Sequence, residues 1–312
     1  MSHNITRYAG GKTRVASDLY VMAPEFDELR EPFLGGGSLL WDAPEGKRLW
    51  FNEKNPLVYD HYRQLRDDDN YINELLEWKD YASALNEHEL RGVFDDCRLW
   101  VDALRRQLYQ TGWKPSRFAT LKEYDEAKAR CDYCPSFWLM LNRWSIGCLT
   151  RLCRHDIACA SYEYLKDGMA SVTREKLEHQ QAVLRRSKLT CLDYSKVLTA
   201  PGDNVWVFLD PPYLVSGGNL YDGEPWQESE HVRLADSLRE SAHDWLLTIN
   251  ASRYFRRLYA GFRIHERLFT CAMPHKYSNK QDKFGSEFWV MNYPSRFESW
   301  KQRQHVPVID AA

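Results

Sequence analysis

Hydrophobic residues along the chain gather in short runs that are typical of buried strands. We predict seven strands, at residues 28–34, 47–53, 188–193, 205–210, 245–250, 262–269 and 287–293. Several of these runs are continuously apolar, which is typical of strands whose two faces are both covered in a parallel sheet. Residues 172–186 and 228–242 instead carry apolar residues at helical spacing. Strands that alternate with helices predict an α/β fold with helices on both faces of the sheet.

Two connections depart from simple alternation. The last two predicted strands are joined by a polar stretch without a helical pattern, so we expect them to pair as an antiparallel hairpin. More than 130 residues separate the second strand from the third, which is too long for one crossover and predicts an inserted domain. We therefore predict a divided catalytic domain, with residues 1–58 and 161–312 flanking an insertion at 59–160.

Composition narrows the class of protein. The chain has 312 residues, of which 44% are hydrophobic and 28% charged, as in globular proteins of one or two domains. No apolar run approaches the length of a membrane span, and the first residues lack the apolar core of a signal peptide. We expect an intracellular protein whose eight cysteines are reduced.

The net charge of −2 conceals two basic stretches. Residues 98–154 contain 11 Lys and Arg but 5 Asp and Glu, and residues 253–284 contain 8 and 2. A phosphate backbone responds to such local patches. Solvated helix faces give the same pattern, so neither stretch alone identifies nucleic acid as a ligand.

Candidate chemistry lies where predicted strands end, because ligands of such sheets bind at the carboxyl ends of the strands. Gly35, Gly36 and Gly37 connect the first strand to a predicted helix, and glycine lets a ligand approach the backbone closely. Glu53 ends the second strand, where a carboxylate can accept hydrogen bonds from ribose hydroxyls. A glycine-rich turn alone is a weak signal for a nucleotide.

The fourth strand runs into Asp210, Pro211, Pro212 and Tyr213. Each proline fixes its own φ and keeps the preceding residue out of the helical region, so the segment is stiff and extended. Pro212 has no amide proton, so the Pro211 carbonyl can act as an acceptor beside the Asp210 carboxylate. Two fixed acceptors and an aromatic ring suit a planar amino group, such as N6 of adenine or N4 of cytosine.

Six segments in order resemble the Dam-like DNA adenine-N6 methyltransferases, the alpha group or D12 class. They are RYAGGK (7–12), EPFLGGGSL (31–39), FNEKNPLVYDHYRQLR (51–66), LNR (141–143), LDYSKV (192–197) and FLDPPYL (208–214). The resemblance implies a Rossmann-like, mostly parallel seven-stranded methyltransferase sheet with a C-terminal antiparallel hairpin. It also implies an inserted, mostly helical target-recognition domain.

The resemblance assigns roles to individual residues. The catalytic positions are Asp210, Pro211, Pro212 and Tyr213. The positions for the cofactor, S-adenosyl-L-methionine, are Tyr8, Lys12, Pro32, Phe33, Gly35, Gly36, Gly37, Glu53, Asp193, Tyr194 and Asp210. Glu53 stands where the family usually has Asp, and Tyr194 stands where it usually has Phe, which keeps the carboxylate and the flat ring respectively.

The implied reaction transfers a methyl group directly to the N6 amine of an adenine in double-stranded DNA. Hydrogen bonds to Asp210 and the Pro211 carbonyl would aim the nitrogen lone pair at the methyl group. The adenine must first flip out of the helix, and Tyr213 would stack on it. We expect a cytoplasmic enzyme of a bacterial or phage-infected cell, monomeric or weakly dimeric, with a cognate restriction endonuclease as a partner.

The predicted DNA contacts lie in the two basic stretches. They are Arg143, Trp144, Arg151, Lys276, Lys280 and Lys283. The segment LNRWSIGCLTRLCRH (141–155) resembles the family's recognition hairpin, but Ile146 stands where the family usually has Asn. For this reason we do not predict GATC as the target sequence.

A cluster of thiols in the insertion raises the question of a structural metal. It comprises Cys131, Cys134, Cys148, Cys153 and Cys159, together with His155. A CxxC pair with later Cys or His residues can hold zinc. The second half lacks a tight CxxC pair and the resemblance implies no metal, so we predict buried, reduced thiols.

Three other functions remain open from the sequence. Cytosine-N4 methylation would use the same motif. A DNA-binding protein without activity would have no need of both an intact glycine loop and an intact Asp-Pro-Pro-Tyr segment. A protein-amide methyltransferase usually has Asn rather than Asp before the prolines and does not need the basic insertion.

Overall fold

The structure is a computed structural model that describes residues 3–8, 10–114, 117–145, 162, 168–214, 226–270 and 284–295. Among these residues the side chains of 269, 270 and 284 are not described.

One mixed sheet organises the described chain. Its strands are β1 (Glu28–Glu31), β2 (Arg48–Asn52), β3 (Ser187–Thr190), β4 (Val205–Leu209), β5 (Asp244–Asn250), β6 (Arg263–Thr270) and β7 (Phe284–Met291). They lie in the order β3-β2-β1-β4-β5-β7-β6. The first five are parallel, and β7 pairs antiparallel with both β5 and β6. The predicted α/β fold, its seven strands and its C-terminal hairpin are therefore confirmed.

The helices predicted at 172–186 and 228–242 are present, but the one predicted after the glycine loop is not. The helices are α1 (Ala16–Met22), α2 (Pro56–Asp67), α3 (Asp69–Ser83), α4 (Glu87–Gln110), α5 (Leu121–Lys128), α6 (Pro135–Trp144), α7 (Arg174–Arg185), α8 (Tyr194–Leu198), α9 (Glu228–Glu240) and α10 (Arg253–Leu258). The glycine loop after β1 leads to a 3-10 turn, Leu40–Asp42, and not to the predicted α-helix. Ala43 has an extended backbone and ends this turn after three residues.

Alternation along the strands explains how both faces of the sheet are buried. In β4, Trp206 and Phe208 belong to one hydrophobic cluster, while Val205, Val207 and Leu209 belong to another. Successive side chains of a strand point to opposite faces, so each face has its own core. Continuous apolar runs are the sequence signature of this arrangement.

The helices that follow β2 share a core with the sheet. Tyr62, Leu104 and Trp138 of α2, α4 and α6 lie in the same cluster as Phe51 of β2. The predicted insertion thus covers one face of the sheet, and its boundaries at 59 and 160 stay a prediction. No helix among the described residues is long and apolar enough to cross a membrane.

Candidate active site

Polar side chains from three strands converge on one face at the carboxyl end of the sheet. Asp210, Thr248 and Glu287 each lie two positions from a side chain of the cluster that contains Phe208. Asp210 directly follows β4, Thr248 lies in β5, and Glu287 pairs with Asn250 at the end of β5. Because the side chains alternate, these three groups meet on the face that the predicted insertion covers.

The Asp210 carboxylate is held but not saturated. Lys12 Nζ donates to Asp210 Oδ1 at 2.8 Å and to Oδ2 at 3.0 Å. Thr248 Oγ1 donates to Oδ1 at 2.7 Å. Among the described residues, Oδ2 therefore accepts one hydrogen bond where Oδ1 accepts two, and 19% of the side chain is exposed. The carboxylate has a fixed orientation and one oxygen that can accept a further donor.

Lys12 and Tyr213 complete the surroundings of Asp210. Lys12 has three N–H donors, and it also donates to the Gly10 carbonyl at 2.7 Å. Its Nζ lies 4.9 Å from the centroid of the Tyr213 ring. The Tyr213 hydroxyl donates to Glu287 Oε2 at 3.2 Å. Burial, with the charges of Asp210 and Glu287, raises the pKa of Tyr213 well above its ordinary value, so the phenol is protonated at neutral pH.

The glycine loop is fixed on several sides. Gly35 and Gly37 have φ of +48° and +70°, which side chains rarely adopt. A Cβ on Gly35 would lie 2.9 Å from the Tyr8 ring, and one on Gly37 would lie 2.9 Å from the Trp41 ring. The Gly35 carbonyl accepts a hydrogen bond from the Tyr62 hydroxyl at 2.8 Å. The packing of two aromatic rings against this loop therefore requires glycine.

Glu53 is placed to shape this loop. Its Oε2 accepts from the Gly35 amide and its Oε1 from the Asn55 amide, both at 2.8 Å. Asn52, one residue earlier, donates from Nδ2 to the carbonyls of Pro32 and Leu192, both at 3.0 Å. The end of β2 thus ties together the loops that follow β1 and β3, the two loops predicted to hold the cofactor.

Aromatic rings gather on the other side of these loops. The Phe33 ring lies 5.2 Å from Tyr194 and 5.3 Å from Trp226, measured between centroids. Asp193 caps α8 by accepting from the Ser195 amide at 3.1 Å, and its oxygens also bind Arg233 at 3.1 and 3.2 Å. Burial would raise the pKa of Asp193, but hydrogen bonds from Arg233 and Ser195 outweigh it and hold this pKa well below the usual value.

Glu31 is a buried carboxylate that our sequence analysis missed. It ends β1 and is 1% exposed. Its Oε2 has no hydrogen-bond partner among the described residues. Burial, followed by the charges of Asp210 and Glu53, raises the pKa of Glu31 well above its ordinary value. A buried carboxylate oxygen without a partner is costly, so this position favours a ligand that brings a cation or a donor.

A shared signal could have identified the missed residues. Thr248 and Glu287 are polar residues beside apolar residues of β5 and β7, and Glu31 is a charged residue at the end of the buried strand β1. Apolar strands rarely contain buried polar groups unless those groups have partners. That pattern was visible in the sequence, but the partners lie far away in the chain.

Two of the predicted DNA-binding residues lie in the core of the protein. Arg143 and Trp144 are buried, 8% and 2% exposed. Arg143 donates from Nε to the Gly168 carbonyl at 2.6 Å and from NH1 to the Ile5 carbonyl at 2.9 Å. Their burial does not support the predicted contact with DNA, because α6 turns both side chains into the core. Arg151, Lys276, Lys280 and Lys283 lie outside the described residues.

Several basic residues of the stretch 98–154 are used in ion pairs. Lys128 binds Asp60 at 2.6 Å, and Arg106 binds Asp102 at 2.8 Å. Arg117 binds Glu123 at 2.6 Å. Asp102 and Glu123 belong to the acidic residues already counted in this stretch, whereas Asp60 lies outside it. A count along the chain does not reveal a partner such as Asp60.

Cys131 and Cys134 are the two cysteines of the predicted thiol cluster that the structure describes. The Cys134 thiol donates to Glu74 Oε1 at 3.0 Å, and burial raises the pKa of both thiols. No group of three or more His, Cys, Asp and Glu residues in the described part of the chain could hold a metal ion. Cys148, Cys153, His155 and Cys159 lie outside it.

The strand order, with β7 inserted antiparallel between β5 and β6, and the Asp-Pro-Pro-Tyr segment at the switch point between β1 and β4 define a Rossmann-like methyltransferase. A family model described as D12 class N6 adenine-specific DNA methyltransferase matches residues 8–273. The chain belongs to this family, and the resemblance found in its sequence is confirmed.

Curated relatives agree with the family assignment. The chain is 26% identical over 281 residues to the DNA N-6-adenine-methyltransferase of Escherichia phage P1. This match covers 85% of the chain but 32% of the phage protein. The chain is 23% identical over 271 residues to the Type II methyltransferase M1.LlaDCHI of Lactococcus lactis subsp. cremoris, covering 84% of the chain and 86% of the relative. It is also 23% identical over 274 residues to a DNA adenine methylase of Vibrio cholerae, covering 83% and 85%. The chain spans about a third of the phage protein and most of the other two.

Proposed function

We propose that this chain transfers a methyl group from S-adenosyl-L-methionine to the N6 amine of an adenine flipped out of double-stranded DNA. The observation that carries the proposal is the Asp210 carboxylate, held by Lys12 and Thr248 with Oδ2 able to accept another donor. The family assignment supports adenine over cytosine.

The residues at the ends of β1 and β2 fit this cofactor. Glu31 offers a buried carboxylate oxygen to a cation, and the cofactor carries an ammonium group and a sulfonium group. Glu53 accepts a hydrogen bond from the Gly35 amide, and its carboxylate would also hold the ribose hydroxyls. Phe33 and Tyr194 provide aromatic faces for an adenine ring. When bound, S-adenosylmethionine supplies a methyl group on a positively charged sulfur, which is a strong electrophile.

Asp210 and the Pro211 carbonyl act on the target amine. The lone pair of an exocyclic amine is delocalised into the ring, which makes the nitrogen a poor nucleophile. Hydrogen bonds from its two N–H groups to Asp210 Oδ2 and the Pro211 carbonyl favour a pyramidal nitrogen with the lone pair directed outward. Lys12 and Thr248 fix the carboxylate beforehand, and such positioning can remove about 7–11 kcal/mol from a barrier.

Asp210 does not need to be a strong base. The nitrogen would gain the methyl group as the carbon–sulfur bond of the cofactor breaks and a neutral thioether leaves. The nitrogen, then positively charged and acidic, would lose its proton to the Asp210 carboxylate. A hydrogen-bonded carboxylate beside the nitrogen stabilises that developing charge. Lys12 and Thr248 hold the Asp210 carboxylate in place for this role.

Tyr213 provides the surface for the flipped base. Extracting an adenine from the helix costs a few kcal/mol of lost stacking. Base stacking on an aromatic side chain contributes about 1–3 kcal/mol, which offsets part of that cost. We keep Arg151, Lys276, Lys280 and Lys283 as the proposed DNA contacts, because lysine and arginine side chains neutralise phosphates.

The cellular setting follows from the substrate. An enzyme that acts on DNA is expected in the cytoplasm of a bacterial or phage-infected cell. A cognate restriction endonuclease is the partner that a site-specific methyltransferase would protect against.

The decisive experiment identifies the product. DNA incubated with the purified chain and S-adenosylmethionine is digested to nucleosides and analysed by mass spectrometry. N6-methyladenine is expected with the wild-type chain and none with Asp210→Ala. N4-methylcytosine would overturn the choice of adenine, and unmodified DNA from a folded chain that binds the cofactor would overturn the function.

A further inference from the structure

Glu287 is a buried carboxylate on β7 whose contacts converge on the catalytic segment. Its side chain is 5% exposed. Its Oε2 accepts a hydrogen bond from the Tyr213 hydroxyl at 3.2 Å and lies 3.9 Å from Lys12 Nζ. Its Oε1 accepts from Trp289 Nε1 at 2.9 Å. The carboxylate thus connects the C-terminal hairpin to the residues around Asp210.

Charge balance alone does not account for this placement. Among the described residues, the charged groups near Glu287 are Lys12, Arg267 on β6, with NH1 at 3.6 Å from Oε1, and Asp210, which Lys12 bridges. Lys12 already has a carboxylate partner, because it binds Asp210 at 2.8 Å. Glu287 is therefore not needed to neutralise Lys12, and its hydrogen bond to the catalytic segment goes to the Tyr213 hydroxyl.

That hydroxyl is the end of the Tyr213 ring that needs an anchor. Residues 210–214 form neither helix nor strand, so secondary structure does not orient the ring. Pro212 fixes the backbone on one side of Tyr213, and Glu287 fixes the opposite end of the side chain. Two fixed ends determine the long axis of the ring, and Lys12 Nζ, which lies over the ring at 4.9 Å from its centroid, restricts rotation about that axis.

We propose that Glu287 is a positioning residue for methyl transfer, which holds the Tyr213 hydroxyl so that the ring presents a fixed face to the target base. The inference rests on the proposed function, since it concerns the same reaction. A ring that is oriented in advance loses less freedom when the base stacks on it, and reacting groups then start closer to the productive geometry.

Three variants test whether Glu287 acts through the Tyr213 hydroxyl. Glu287→Gln keeps the shape and removes the charge, Tyr213→Phe keeps the ring and removes the hydroxyl, and the third variant combines them. We expect Glu287→Gln to lower kcat about 10- to 100-fold, as for loss of a hydrogen bond to a charged group, with cofactor affinity within about twofold of wild type. The combined variant should be no more than about twofold worse than the poorer single one, because both changes remove the same interaction.

A matched control separates positioning from stability. Asp60 is also a buried carboxylate that binds a tyrosine hydroxyl, Tyr124 at 2.9 Å, and a lysine, Lys128 at 2.6 Å, but it lies in α2. Asp60→Asn should lower the melting temperature and leave kcat per folded molecule unchanged. The same pattern from Glu287→Gln would overturn the proposal, because it would show a structural role.

Other outcomes are equally informative. If the losses of kcat in the two single variants multiply in the combined variant, Glu287 does not act through the Tyr213 hydroxyl, and the proposal is overturned. If Glu287→Gln does not fold, Tyr213→Phe carries the test, and wild-type kcat in that variant would overturn the inference. An inactive wild-type chain would instead contradict the proposed function, so the two failures are distinguishable.

Discussion

Asp210 and Asp60 are two carboxylates held by similar partners in two regions of the molecule. Asp60 lies in α2 and is 0% exposed, and it binds Arg63, Tyr124 and Lys128. Its Oδ1 accepts two hydrogen bonds from Arg63, at 3.0 and 2.6 Å, and its Oδ2 accepts one each from Tyr124 and Lys128. Each oxygen of Asp60 is therefore saturated, so this carboxylate can only stabilise the fold.

Asp210 differs from Asp60 because one of its oxygens can accept a further donor and its side chain is partly exposed. Lys12 and Thr248 occupy Oδ1, whereas Oδ2 accepts a single hydrogen bond from Lys12 among the described residues. The side chain is 19% exposed. An oriented carboxylate with remaining acceptor capacity can bind a substrate donor. The difference between a structural and a candidate catalytic carboxylate thus lies in what its neighbours leave unsatisfied, and not in the type of residue.

The largest effect on kcat is expected from removal of Asp210, the carboxylate with remaining acceptor capacity. Asp210→Ala should lower kcat at least about 1000-fold, because it removes a preorganised group from the point where charge develops. The resemblance also places Asp210 among the cofactor positions, but the proposed mechanism uses its carboxylate for the amine, so cofactor affinity measured by calorimetry should stay close to wild type. Turnover near the wild-type value would contradict the mechanism, and a large loss of cofactor affinity would move Asp210 to the cofactor side.

The saturated carboxylate should show the opposite behaviour. Asp60→Asn leaves Lys128 and Arg63 without their buried anion, so the free energy of unfolding should fall by about 3 kcal/mol. Chemical denaturation measures this, and kcat per folded molecule serves as the control. A loss of activity without loss of stability would show that the comparison is wrong for Asp60.

Glu31 sharpens the comparison because it is buried and one of its oxygens has no hydrogen-bond partner in the part of the chain that the structure describes. A raised pKa means that the ionised form is destabilising at neutral pH, and that this cost disappears as the pH falls below the ordinary value of 4.5. Glu31→Gln should therefore raise the melting temperature of the cofactor-free chain at pH 7 and change it little below pH 4. Cofactor binding should weaken by about 1–3 kcal/mol. Unchanged affinity in calorimetry would remove Glu31 from the cofactor site.

The smallest expected effect concerns the ion pair between Arg117 and Glu123 in the helical region. A hydrogen bond from Arg117 lowers the pKa of Glu123 from 4.5 to about 2. A lowered pKa contributes stability that is present above pH 4.5 and lost as the pH falls toward 2. Glu123→Gln should cost no more than about 1 kcal/mol at pH 7, because Arg117 is exposed. Acid titration of both proteins should show this difference vanish near pH 2, and a constant difference would indicate another cause.

The sheet and the position of the Asp-Pro-Pro-Tyr segment can be recognised from the sequence. Apolar runs such as residues 205–209 are recognisable because a strand buried on both faces needs nonpolar side chains throughout. The Asp210 to Tyr213 segment is recognisable because two prolines restrict the backbone locally. Both signals lie within a few neighbouring residues, so they do not depend on distant contacts.

The partners of these side chains become visible only in the folded protein. Lys12 meets Asp210 across 198 residues, and Tyr213 meets Glu287 across 74. Arginine is a residue type that often contacts DNA, but α6 buries Arg143 against the Gly168 carbonyl. Burial and pairing depend on which surfaces the fold brings together, and those contacts join residues too far apart in the chain for local patterns to reveal them.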